Sequence, residues 1–123
     1  PVGCDINPFR PMSDLPTAEE LIDGFKWYVD QAHALGLSVY IGTLLPIEDW
    51  RTYAPFREEL KNQVNEWIRL TDGFEGCIDF DLAVQDPDHP AAFKAGYDSG
   101  DHLHPSSAGY KAMADAVPKS FLY

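Results

Sequence analysis

The sequence predicts an α/β domain, and three observations carry that expectation. Two amphipathic helical patterns alternate with two short apolar runs, Leu37–Leu45 and Cys77–Phe80. The order loop, α, β, α, β, long loop, α suits right-handed βαβ units with a parallel sheet. The chain has 123 residues, 45% of them hydrophobic and 13% aromatic, enough apolar material for the core of one domain, taken as residues 1–123.

Residues 1–16 hold four of the ten prolines and read as loop, because proline fixes φ and donates no N–H. Thr17-Ala-Glu-Glu20 has the form of a capping box. Behind it Leu21, Ile22, Phe25, Tyr28, Val29, Ala32 and Leu35 recur at three- and four-residue spacing, so a helix is predicted over 17–35, ended by Gly36. Leu37–Leu45 is β-branched and aromatic and stops at Pro46. Its poor alternation suits a strand buried on both faces. A second helix is predicted from Pro55 to Leu70, with Phe56, Leu60, Val64, Trp67 and Ile68 on one face and Gly73 after its end. Cys77–Phe80 is a brief strand, 81–105 reads as loop, and a last helix runs from about Ser106 to Ala116 with Tyr110, Met113, Ala114 and Val117 facing inward. Two strands make a poor sheet on their own, so the pattern is that of part of a doubly wound sheet.

Charge narrows the possible functions. Twenty acidic residues against nine basic ones give a formal charge of −11, a field that repels nucleic-acid phosphate and an anionic membrane surface alike. No apolar run approaches the ~20 residues that span a bilayer. The two cysteines, Cys4 and Cys77, are too few for a disulfide scaffold and lack zinc-ligand spacing. The chain opens on Pro1 with no leader pattern, which suggests either a processed protein or a sequence that starts partway through a longer one.

The densest polar segment is Tyr97-Asp-Ser-Gly-Asp-His-Leu-His-Pro-Ser-Ser-Ala-Gly-Tyr110. Asp101 and His104 lie three residues apart just before a helix, close enough for the carboxylate to accept the Nδ1 hydrogen bond of an imidazole acting as base. The competing reading is that Asp101 and Ser106 cap the helix while His102 and His104 are merely solvated.

Ser99-Gly-Asp-His-Leu-His-Pro, followed by Ser-Ala-Gly-Tyr and an apolar helix, resembles the C-terminal signature of the SGNH hydrolases, the GDSL-type esterases and lipases. Pro16-Thr-Ala-Glu-Glu-Leu-Ile, the passage from His33 to Leu45 and Gly76-Cys-Ile-Asp-Phe-Asp fit the same family in order. The resemblance implies a flavodoxin-like three-layer α/β/α sandwich, here incomplete, with its N-terminal strands missing. It also implies Ser-His-Asp ester hydrolysis, with Asp101 as the acid and His104 as the base, acting on a small ester without metal or organic cofactor. The family's Gly-Asp-Ser nucleophile motif does not occur in these 123 residues, so the nucleophile is unassigned. The nearest match to the family's Gly-x-Asn-Asp oxyanion element is Gly3-Cys-Asp-Ile-Asn, which puts Cys4 or Asp5, or Asn7 after remodelling, where an amide donor belongs. Neither a thiol nor an ionised carboxylate replaces that amide.

Of the serines, Ser99 and Ser106 lie near His104 in sequence and suit turn and cap roles better than attack. Asp98, Asp101, His102 and His104 offer a His-x-His alternative for a metal. Asp79 and Asp81, expected to point to opposite sides of a strand end, read as a loop-ordering pair. Trp27 and Trp67 are placed in the core, whereas Trp50, in the loop after the first strand, is the candidate to line a substrate cleft. The alternative to an enzyme is a non-catalytic family member that binds a carbohydrate or a protein partner. An unpaired sheet edge further predicts a homo-oligomer or a complementing N-terminal fragment.

Overall fold

A computed structural model describes residues 16–122. Their elements run α1 (Ala18–Ala34), β1 (Tyr40–Gly42), α2 (Pro55–Leu70), β2 (Gly76–Ile78), α3 (Phe80–Val84), β3 (Gln85–Asp86), β4 (His89–Phe93) and α4 (Ser107–Ala116), closed by a 3-10 turn at Lys119–Phe121. The mixture of helix and strand is that of an α/β protein.

The start and end of α1 are written locally. Thr17 Oγ1 accepts the Glu20 N–H at 3.1 Å, closing the N-terminal turn. At the other end the Gly36 N–H reaches His33 O at 2.9 Å and the Leu37 N–H reaches Ala32 O at 2.9 Å. That paired closure is a Schellman motif, and it needs the left-handed φ of +76° that Gly36 adopts without strain. Pro55 opens α2, where its missing N–H costs nothing.

β1 and β2 pair in parallel, Tyr40 with Gly76, Ile41 with Cys77 and Gly42 with Ile78. The core lies between this pair and the two long helices: Val29 from α1, Ile41 from β1, and Leu60, Val64 and Ile68 from α2. Phe25, Trp67 and Phe74 pack against it, with Phe25 and Trp67 stacked at 6.1 Å between centroids. Trp67 therefore takes the packing role expected of it. Trp27 does not: it is 58% exposed and meets Tyr28 edge-on at 5.0 Å. Tyr28 and Leu35 are likewise exposed, so the apolar stripe read along α1 is wider than the face it buries.

Both strands are shorter than their apolar runs. The Leu37–Leu45 run forms a ladder only over Tyr40–Gly42. The Val39 carbonyl and the Thr43 N–H face β2, through Glu75 N and Ile78 O. By alternation the peptide group of Leu44 faces away from β2. It is met by a side chain: Asn65 Oδ1 accepts the Leu44 N–H at 2.7 Å, and its Nδ2 donates to the Leu44 carbonyl at 2.9 Å. Asn65 is fully buried on α2 and stands at Leu44 where a neighbouring strand would stand.

Three corrections concern the second half of the chain. The Cys77–Phe80 run ends its ladder at Ile78, because Asp79 caps a new helix, accepting the Leu82 N–H at 3.1 Å. The segment 81–105 is not merely loop: α3 is followed by an antiparallel hairpin, Gln85 opposite Phe93 and Asp86 opposite His89. In α4 the buried residue is Gly109, while Tyr110 and Ala114 face solvent and Met113 and Val117 are half-buried.

Candidate active site

The Tyr97–Tyr110 segment folds into a closed loop followed by α4. Asp98 and Pro105 pair as an isolated antiparallel bridge. The Ser99 N–H donates to His104 O at 3.0 Å, and the Ser106 N–H to Tyr97 O at 2.7 Å. Ser106 then caps α4: its Oγ accepts the Gly109 N–H at 3.2 Å and donates to Gly96 O at 2.6 Å. Gly109 lets the helix approach this closely, since a Cβ there would lie 2.6 Å from Tyr97 O and 2.9 Å from Pro105 Cβ.

Inside the loop the structure brings Asp101 and His104 together. Asp101 Oδ2 lies 2.6 Å from His104 Nδ1. Its Oδ1 accepts the main-chain N–H of His104 at 2.8 Å and of Leu103 at 2.9 Å, with the Ser99 hydroxyl at 3.1 Å. One carboxylate thus holds both the backbone and the ring of the histidine. The His104 N–H, the His104 ring, the Leu103 N–H and the Ser99 hydroxyl together hold the Asp101 carboxyl far below its ordinary range, against a small opposing effect of burial. With Nδ1 engaged, Nε2 is the nitrogen left for proton transfer, on a side chain 52% exposed. The same arrangement excludes the idea that Asp101 merely caps the helix; Ser106 does that alone.

A second pair sits beside the first. Asp98 Oδ2 lies 2.5 Å from His102 Nδ1, and its Oδ1 accepts the N–H groups of Gly100 at 2.7 Å and His102 at 3.1 Å. Burial works to raise the Asp98 carboxyl, but these donors outweigh it and the net displacement is downward. The sequence offers His102 as a solvated residue or a metal ligand, not as the partner of Asp98. The signal was present, since Asp98-x-x-x-His102 and Asp101-x-x-His104 overlap in one loop.

The serines near His104 are otherwise occupied. Ser99 bonds Asp101, and Ser106 spans Gly96 and Gly109, as turn and cap roles require. Among the described residues no group of three His, Cys, Asp or Glu side chains is arranged to hold a metal ion. Trp50 is half-buried in a turn, its N–H on Ile47 O at 3.0 Å and its carbonyl accepting from the Tyr53 N–H at 2.7 Å. Cys4, Asp5 and Asn7 lie outside the described residues.

Asp79 and Asp81 do not point apart. The chain turns into α3 at Phe80, so both reach one guanidinium: Arg69 Nε to Asp79 Oδ2 at 2.8 Å, and Nη2 to Asp79 Oδ1 and Asp81 Oδ2, each at 2.9 Å. Thr43 Oγ1 completes the knot, donating to Asp79 Oδ1 and accepting the Asp81 N–H. The two carboxyls respond differently to the shared cation. Burial tends to raise Asp79 as well, yet Arg69 and the Leu82 N–H bring it below its ordinary value. Asp81 is more deeply buried and has an unpartnered Oδ1, so desolvation wins and raises it despite Lys61 and Arg69. This knot ties the ends of both strands to α2 and borders a cavity of about 580 Å³ that extends to Gln85 and Ala91. Neither Asp101 nor His104 lines that cavity.

Residues 5–112 match the model of the GDSL-like Lipase/Acylhydrolase family. No curated protein gives a match to the chain.

Proposed function

Because the chain belongs to the GDSL-like lipase/acylhydrolase family, we propose that it serves the hydrolysis of a small ester, supplying the acid and base of a Ser-His-Asp triad. The observation that carries this reading is the grip of Asp101 on His104 through both Nδ1 and the main-chain N–H. In the proposed reaction a serine Oγ attacks the ester carbonyl as His104 Nε2 takes its proton. Asp101 stays ionised and stabilises the imidazolium. The imidazolium then protonates the departing alcohol, and water, activated by the same nitrogen, releases the acid.

The serine comes from a Gly-Asp-Ser segment that is not among these 123 residues. That segment would also complete the flavodoxin-like three-layer sandwich, adding its strands to the outer edge of β1. A second copy of the chain is the other occupant of that edge, and light scattering separates the two cases from a free monomer.

Hydrolysis of p-nitrophenyl acetate tests the assignment. The pure chain is expected to turn over weakly or not at all, because a triad without its nucleophile retains only binding and electrostatic effects. Adding a segment that carries the serine should raise the rate. His104→Ala and Asp101→Asn should then abolish it, and His102→Ala should reduce it much less. Robust turnover by the pure chain would overturn the division of labour. Serine complementation that gives no activity at all would favour a non-catalytic member that binds a carbohydrate or a partner.

A further inference from the structure

We propose that Asp98 and His102 form a positioning pair for the Asp101–His104 dyad, holding the turn that lets one carboxylate grip His104 twice. The inference rests on the dyad assignment above. It starts from an unusual backbone: His102 has φ +60°, in the left-handed region where a residue with a Cβ is disfavoured. Gly100, two residues earlier, has φ +115°, but glycine takes such values freely. His102 is the residue that joins Asp101 to Leu103. Its left-handed turn brings the chain back, so that the Leu103 and His104 N–H groups both return to Asp101 Oδ1, at 2.9 and 2.8 Å. An extended conformation at His102 would carry those two donors away from the carboxylate.

Asp98 supplies what offsets the unfavourable turn. Its carboxylate takes the His102 N–H on one oxygen and the His102 ring on the other, just as Asp101 does with His104. Asp98 is itself anchored, since its backbone bridges to Pro105, immediately after His104. Its side chain is only 20% exposed, against 49% for Asp101. Of the two pairs, Asp98–His102 is the better sheltered. A glycine at 102 would accept the turn without strain but would give Asp98 no ring to hold. This makes His102 a residue that acts through the backbone of His104 rather than on substrate.

The test uses the whole chain and does not depend on esterase activity, so its failure is distinct from failure of the proposed reaction. The readouts are hydrogen exchange at the Leu103 and His104 amides and the downfield NMR resonance of the His104 Nδ1 proton. Asp98→Ala and His102→Ala should each speed exchange at both amides about tenfold, equivalent to ~1.4 kcal/mol of opening, and broaden the Nδ1 resonance. Asp98→Asn, which keeps an acceptor, should do the same more mildly and guards against misfolding of the alanine variant. His102→Gly should stay within about threefold of the parent chain. The decisive variant is Asp98→Ala with His102→Gly: glycine removes the strain that Asp98 offsets, so most of the Asp98→Ala loss should be recovered. Unchanged exchange in Asp98→Ala, or a double variant no better than Asp98→Ala, would overturn the proposal. So would His102→Gly proving as damaging as His102→Ala.

Discussion

Replacing Gly109 with alanine sets two opposed effects of known size against each other. Gly109 lies in the first turn of α4, so alanine should gain up to about 1 kcal/mol of helix propensity. The new Cβ, however, would lie 2.6 Å from Tyr97 O and 2.9 Å from Pro105 Cβ, well inside ordinary contact. Neither atom belongs to a flexible side chain. Tyr97 O already accepts the Ser106 N–H at 2.7 Å, and Pro105 is part of the bridge to Asp98. Relief must come from shifting α4 as a body, and overpacking of this kind costs ~1–3 kcal/mol. Weakening the Tyr97–Ser106 hydrogen bond adds about 1 kcal/mol. The net expectation is a loss of roughly 1–3 kcal/mol. Gly24 is the control: it lies within α1, and a Cβ there meets nothing within 4 Å. Gly24→Ala should therefore stabilise by ~0.5–1 kcal/mol. Urea unfolding followed by tryptophan fluorescence reads both, and with a slope of ~1.5 kcal/mol per M the midpoints should move apart by about 1–2.7 M. If Gly109→Ala proves as stable as Gly24→Ala, the close approach of α4 to the Tyr97–Pro105 bridge is not what holds the loop.

Asn65→Leu keeps the heavy-atom count and branching of a fully buried side chain but strands the N–H and carbonyl of Leu44. The same urea titration should show a loss of ~2–4 kcal/mol, and a loss under 0.5 would mean that water replaces the amide. Arg69→Met removes the cation shared by Asp79 and Asp81 and should cost ~1.5–3 kcal/mol at pH 7.5, discounted because the guanidinium is more than a third exposed. Asp81 already has a raised carboxyl, and without Arg69 it rises further. A carboxyl raised on folding binds more protons in the native state, so this deficit should shrink as pH falls from neutrality toward the ordinary carboxylate range. A deficit that grows on acidification would contradict that sign. Asp101 has the opposite sign: its carboxyl is lowered on folding, so its contribution to loop order is complete above about pH 4 and is lost only as pH falls further. The His104 Nδ1 proton resonance, followed down in pH, should therefore persist below about pH 4, the ordinary carboxylate range.

The division between what the chain wrote locally and what needed its neighbours follows the range of the interactions. The ends of α1 were legible because Thr17, Glu20 and Gly36 act within four residues of their partners. The Asp101–His104 pair was legible for the same reason: three residues of separation in one loop settle the contact. The Ser106 cap is equally local. Part of what failed to show in sequence depended on partners far along the chain. The strand ends were misplaced because ladders stop where pairing stops, and at Leu44 the partner is Asn65 on another element. Asp79 and Asp81 were assigned opposite sides because alternation holds only while a strand continues, and the cap at Asp79 ends it. Tyr28 and Leu35 satisfied a helical apolar pattern, yet periodicity names a face without saying how much of it a neighbour covers. The left-handed turn at His102 lay beyond any pattern of residue types, since histidine gives no backbone signal of the kind glycine does. Composition and short-range spacing decided the α/β class, the helix ends and the contact between Asp101 and His104. Tertiary contact decided which side chain meets the peptide group of Leu44 and how Arg69 gathers Asp79 and Asp81, because those depend on atoms the local chain cannot reach.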